Sequence, residues 1–166
     1  MRLTTGRVDS SFLQARNTLT QRTIGPESSA TIKIDISGMK EGDYAGLALL
    51  QKDFGIVGVK YENGLKSIIM INADGEEAVE VEEIPLNQDI LYLKADGDFR
   101  NMNDKATFFY SLDGEQWNQI GDELTMSYTI PHFMGYRFGL FNYAAKNAGG
   151  HVDFDYFKID DQISKE

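Results

Sequence analysis

The chain contains no cysteine, which removes disulfide frameworks, thiolate nucleophiles and cysteine metal centres at once. Two histidines, His132 and His151, are all it has, too few for a histidine-rich metal centre and a poor basis for a nucleophilic triad. No segment approaches the roughly twenty consecutive apolar residues of a membrane-spanning helix. The opening stretch Met1 to Arg7 lacks the apolar run of a signal peptide. Positive charge is scarce: 16 Lys and Arg stand against 26 Asp and Glu, a formal net charge of -10. That excess repels a nucleic-acid backbone and an anionic membrane surface alike, so neither is an expected partner. Nucleophile elbow, Walker loop, dinucleotide fingerprint and paired-histidine motif are all missing.

What is present is an ordinary globular composition, 42% hydrophobic and 25% charged, over 166 residues, which fits one domain spanning 1–166. Only three prolines accompany 16 glycines, a mark of many tight turns. From Ala30 to Ser37 the even positions are apolar and the odd ones polar, the period of a strand with one core face. Tyr44 to Gln51 and Gly55 to Tyr61 are richer in apolar residues and read as interior strands. Leu65 to Asn72 and Glu76 to Leu86 flank Ala73-Asp74-Gly75, a hairpin signal. Further strands are expected over 90–95, 106–111, 136–144 and 151–159, with turns at Asp96-Gly97-Asp98, Asp113-Gly114 and 146–150. No stretch holds helical spacing with caps. About ten short strands predict an all-β antiparallel two-sheet sandwich or jelly roll.

Chemistry is sparser. Twenty-six acidic residues offer many carboxylate pairs of the kind glycosidases use, but most fall on alternating wet faces or in turns. In Ser111-Leu112-Asp113-Gly114-Glu115-Gln116-Trp117, serine and aspartate can bond turn amides; Trp117 is read as a hairpin plug, with a sugar-stacking platform as the alternative. In Tyr136 to Tyr143 the residues Arg137, Phe141 and Tyr143 share one face, and Phe138, Leu140 and Asn142 the other. A charged, aromatic and phenolic face suits a carbohydrate groove, although a strand buried on both sides reads the same way. Phe54, a loop aromatic between Asp53 and Gly55, joins the candidates. Gln51, Arg137 and Asn142 are the polar neighbours expected to bond sugar hydroxyls, and loss of Phe54 or Tyr143 is expected to weaken binding while sparing the fold. In the closing strand, parity puts Asp153, Asp155 and Phe157 on one face. An aspartate among aromatics needs a hydrogen-bond partner or a metal, and calcium is one solution for Asp155.

Several stretches in order resemble a known family: Arg2-Leu3-Thr4-Thr5-Gly6-Arg7 with Leu13 to Arg22, then Tyr44-Ala45-Gly46-Leu47-Ala48, then Tyr110-Ser111-Leu112-Asp113-Gly114 with Trp117, then Asp153-Phe154-Asp155-Tyr156-Phe157. Together they are similar to the C-terminal concanavalin A-like domain of family 43 glycoside hydrolases, the β-xylosidase and arabinofuranosidase group. The resemblance implies a concanavalin A-like jelly roll that accompanies a five-bladed propeller holding the catalytic carboxylates. It implies a non-catalytic accessory role, with the propeller of the same polypeptide and xylan or xylo-oligosaccharide as partners and no required cofactor. The alternative is a purely structural domain that buttresses the propeller and shapes the rim of its active site. An upstream Trp-rich strand is also implied, so the chain is expected to be a piece of a longer polypeptide. Asp155 followed by Tyr156 resembles the calcium-holding aspartate of concanavalin A-like glucanases. Those glucanases carry their acids as Glu-x-Asp-x-x-Glu on one strand, a run missing around Glu77, Glu80, Glu82 and Glu83, which disfavours an independent hydrolase.

Overall fold

The computed structural model describes residues 1–75, 77–128 and 134–164, so His132 and the expected strand start at Glu76 lie outside it. Twelve strands follow in chain order: β1 (Arg2–Thr4), β2 (Thr18–Arg22), β3 (Glu27–Asp35), β4 (Asp43–Leu50), β5 (Phe54–Glu62), β6 (Leu65–Ala73), β7 (Val79–Leu86), β8 (Ile90–Asp98), β9 (Lys105–Ser111), β10 (Asn118–Thr125), β11 (Arg137–Ala144) and β12 (His151–Asp160). They form two six-stranded antiparallel sheets, the first ordered β1-β12-β3-β8-β9-β10 and the second β2-β11-β4-β5-β6-β7. The predicted all-β two-sheet sandwich is the observed one.

Alternation explains how the layers close. Ile32 and Ile34 of β3 and Leu91 and Leu93 of β8 point inward from the first sheet, against Leu47 and Leu49 of β4 and Phe138 and Leu140 of β11 from the second. All eight are fully buried, and each contributes roughly 1.5–3 kcal/mol of hydrophobic stabilisation. The interior strands β4 and β5 are buried along most of their length, as their continuous apolar runs predict.

Four strands escape the simple period. The short edge strand β1 and the polar β2 exist because β12 and β11 offer them open hydrogen-bonding edges. In β10 the register slips between Ile120 and Leu124, with Gly121 at φ +69°, so Asp122, at the intervening position of the same parity as these two buried residues, is exposed and the alternation is broken. A second bulge interrupts β12: Phe154 pairs with Ile34 and Tyr156 with Lys33, leaving Asp155 as the extra residue. Beyond it the parity is reversed, so Phe157 and Ile159 pack on the core while Tyr156 is exposed, a correction to the expected grouping of Phe157 with Asp153.

One surface carboxylate links two turns. Glu41 accepts from the amides of Asn63 (2.8 Å) and Gly64 (3.1 Å) in the β5–β6 turn, and from Lys146 Nζ (2.9 Å) after β11. Chiefly the lysine, then the two amides, pull its pKa from 4.5 down to about 2. A folded-state value below the unfolded one means stability that is present above pH 4.5 and lost as pH falls towards about 2. In thermal melts across this range, Glu41→Gln should therefore melt below the wild type near neutrality, and the difference should vanish towards pH 2.

Candidate functional site

The residues expected to form a sugar groove on β11 and its neighbours do not come together as one surface. β11 is buried on both faces, the reading that its pattern had left open. On the outer face of the second sheet, Phe12 from the short 3₁₀ turn Phe12–Gln14 closes over Phe54 and Phe141, each with a ring centroid 5.0 Å from its own. Gly46 and Gly58 face each other beneath them, and a Cβ on Gly58 would stand 3.4 Å from the Phe141 ring and 2.5 Å from the Ala45 carbonyl. Glycine at these positions lets Phe141 lie close to the sheet. Phe54 and Phe141 are only 5% and 2% exposed. Their faces are occupied by protein, which corrects the expectation that they stack on sugar.

Tyr143 shares this cluster, stacked on Tyr44 at 5.1 Å with rings 5° from parallel. Burial pushes its phenol up to about 12. Tyr44 donates to Glu62 Oε1 (3.0 Å), and burial followed by that carboxylate raises its pKa. Asn142 points to the opposite face, where Nδ2 donates to the Leu3 carbonyl (2.8 Å) inside the fold and Oδ1 has no partner among the described residues. It ties β11 to β1, and with Tyr143 it borders a small cavity of about 250 Å³ whose other walls include Thr5, Arg7, Asp9, Arg16 and Asn17, so these two of the expected residues do share a concavity, apart from Phe54, Gln51 and Arg137. Gln51 and Arg137 stay half-exposed at the sandwich end, brought together through Met134: Gln51 Nε2 donates to its carbonyl and Arg137 approaches its sulfur at 3.4 Å.

Asp155 does not fit a calcium site. The bulge turns it outward, its side chain is 67% exposed, and its carboxylate pairs with Lys33 Nζ at 2.8 Å. Chiefly that hydrogen bond, then the lysine charge, holds its pKa below the usual carboxylate range. Among the described residues no three His, Asp or Glu side chains cluster as an ion would need.

The concave, polar surface lies instead on the outer face of the first sheet, over β8, β9 and β10. A groove of about 850 Å³ runs there, within the range of ligand sites. Alternation aims Lys105, Thr107 and Phe109 of β9 into it, with Gln119 and Glu123 from β10 alongside. Phe109 supplies a half-exposed aromatic face. At the end near β3, Arg100 grips Asp98 with two bonds of 2.9 Å and reaches Glu27 at 3.1 Å. The Arg100 guanidinium, as the largest influence, holds the Asp98 carboxyl well below its usual range. Lys105 pairs with Glu123 at 2.8 Å.

The opposite wall is the segment 162–164 after β12. The Ser164 amide donates to Asp96 Oδ2 (2.8 Å), and Lys94 Nζ donates to the Ser164 hydroxyl (2.7 Å). Asp96, 5% exposed, takes its other bond from the Ser29 hydroxyl at 2.5 Å. Lys94 lies over the rings of Trp117 (4.3 Å) and Phe109 (5.1 Å). Trp117 is thus a half-buried partner of a lysine on the outer sheet face. The turn before it forms as the sequence predicts, with Asp113 Oδ1 accepting the amides of Glu115 and Gln116 at 2.8 Å each. The sequence pattern hid this groove, because Asp96-Gly97-Asp98 read as a turn after a strand over 90–95; the structure corrects that, carrying β8 on to Asp98 with Asp96, Gly97 and Asp98 paired to both β3 and β9.

The model of the Beta xylosidase C-terminal Concanavalin A-like domain (GH43_C2) matches residues 1–160. A β-xylosidase of Formosa agariphila is 34% identical over 154 residues, covering 92% of this chain and 24% of that protein. Among solved structures, a bifunctional GH43-CE protein of Bacteroides eggerthii superimposes with a TM-score of 0.96 at 60% identity, over 98% of this chain and 21% of that one. A GH43 glycoside hydrolase engineered to display both endo-xylanase and exo-arabinofuranosidase activity follows with a TM-score of 0.91 at 29% identity, over 98% and 34%. The chain thus spans between about a fifth and a third of the length of these relatives.

Proposed function

Because the chain belongs to the family of β-xylosidase C-terminal concanavalin A-like domains, we propose that it works as a non-catalytic accessory domain binding xylan or arabinoxylan beside the catalytic propeller of the same polypeptide. The observation that carries this reading is the 850 Å³ groove, which sets one aromatic face among many hydrogen-bonding groups. A pyranose presents the complement, an apolar ring face rimmed by hydroxyls. Binding rather than hydrolysis suits the groove's acids. A general acid needs a raised pKa, whereas that of Asp98 is lowered by Arg100.

Few contacts of this type give weak affinity, so titration of the chain with xylohexaose or arabinoxylan should return dissociation constants on the order of 10⁻⁵ to 10⁻³ M. Calorimetry and affinity electrophoresis, with and without calcium, make the test. Absence of heat and of retardation under both conditions removes the glycan-binding reading.

A second reading, a buttress for the propeller, has its own observation. Ile24, Met102, Tyr128 and Met134 are all about half exposed or more. They gather at the sandwich end where β2 and β8 finish and β3, β9 and β11 begin. Apolar groups concentrated at one end suit a partner surface. Hydrophobic-dye uptake or self-association of the isolated chain, with no glycan bound, selects this reading.

A further inference from the structure

Resting on the glycan-binding reading, the arrangement of charge in the groove goes one step further: we infer that it accepts an uncharged stretch of xylan and turns away chains bearing uronic acid substituents. The groove's two lining cations are already matched. Arg100 is shared between Asp98 and Glu27, and Lys105 holds Glu123. The third nearby cation, Lys94, is committed to the Ser164 hydroxyl and to the faces of Trp117 and Phe109.

The acidic side is in surplus. Four carboxylates line the groove, Glu27, Asp96, Asp98 and Glu123. Asp96 receives only a hydroxyl and an amide, from Ser29 and Ser164. A uronate entering this concavity meets excess negative charge and can gain a cation only by breaking an existing ion pair. The formal charge of -10 over the whole chain adds to the repulsion. Sugar hydroxyls face no such conflict, because Thr107 and Gln119 each offer both a donor and an acceptor. Arabinofuranosyl branches are equally uncharged and are not excluded on this ground.

The test compares xylohexaose with a xylo-oligosaccharide of the same length carrying one glucuronic acid, by calorimetry on the same chain. One unscreened like charge at groove distances is worth a few-fold in affinity. At about 0.01 M salt the neutral ligand should bind roughly three-fold to ten-fold tighter. At about 1 M salt, where the screening length falls to about 3 Å, the gap should close. Glu27→Gln with Glu123→Gln removes two of the four carboxylates isosterically from solvent-facing ion pairs, a change the fold tolerates. In that variant the ratio should reach one or invert at low salt. Equal or tighter binding of the uronate-bearing ligand to the unmodified chain at low salt overturns the inference. So does a gap that survives high salt, which marks a steric origin. If neither ligand binds, the glycan reading itself falls and takes this inference with it.

Discussion

Phe54→Ala will lower the unfolding free energy by about 3–5 kcal/mol and leave the glycan affinity of the folded fraction where it was. The ring lies against Phe12, centroid to centroid at 5.0 Å and tilted by 48°, and Phe141 meets Phe12 from the other side at 5.0 Å, edge-on. Ala48, Ile56, Ala73 and Tyr143 complete the buried cluster. Truncating Phe54 removes its buried area, leaves a cavity that the sheet cannot collapse, and loosens the segment that Phe12 anchors. For a chain of this size the loss corresponds to a fall in melting temperature of roughly 10 °C. Denaturant unfolding with an unchanged m-value makes the measurement. A variant of unchanged stability that has lost xylo-oligosaccharide binding would restore Phe54 as a stacking platform and contradict the packing account.

Phe109→Ala should show the opposite profile, at least a ten-fold loss of affinity for xylohexaose with stability changed by only about 1 kcal/mol. Its side chain points away from the core, on the outward positions of β9, and is half-exposed in the groove. The substitution takes away the aromatic face and one of the two rings that flank Lys94. Phe109→Leu separates the contributions, because it keeps apolar bulk but not a flat face; it should recover stability more than affinity. Calorimetric titrations beside thermal melts read both quantities. If Phe109→Ala binds as tightly as the unmodified chain, the groove over β8, β9 and β10 is not the glycan site.

The contrast between Phe109 and Phe141 shows how far local pattern carries. Phe109 and Phe141 look alike in sequence, each in a strand, each alternating with core residues. What separates them is the layer above the outward face. Over β11 that layer is the Phe12 turn, brought from more than a hundred residues away, whereas over β9 the segment 162–164 forms only one wall of the groove. The alternation in β12 was equally legible up to Phe154 and misleading after it, because a bulge is decided by how β12 pairs with β3.

The sequence by itself determined the sandwich, since period-two alternation, apolar interior runs and turn signals such as Asp113-Gly114 are local properties that specify, wherever no bulge intervenes, which side of a strand meets a core. It also determined the exclusions that follow from composition, and the ordered motifs that identify the family. Tertiary structure alone decided which outward faces are covered and which are open. It decided that Asp155 pairs with Lys33 in the open, and that the Asn142 amide ties β11 to β1. The groove belongs to the same class: its residues come from β3, β8, β9, β10, the β8–β9 connection and the segment 162–164, and strand order and the path of connecting segments are set by long-range packing that no local period encodes.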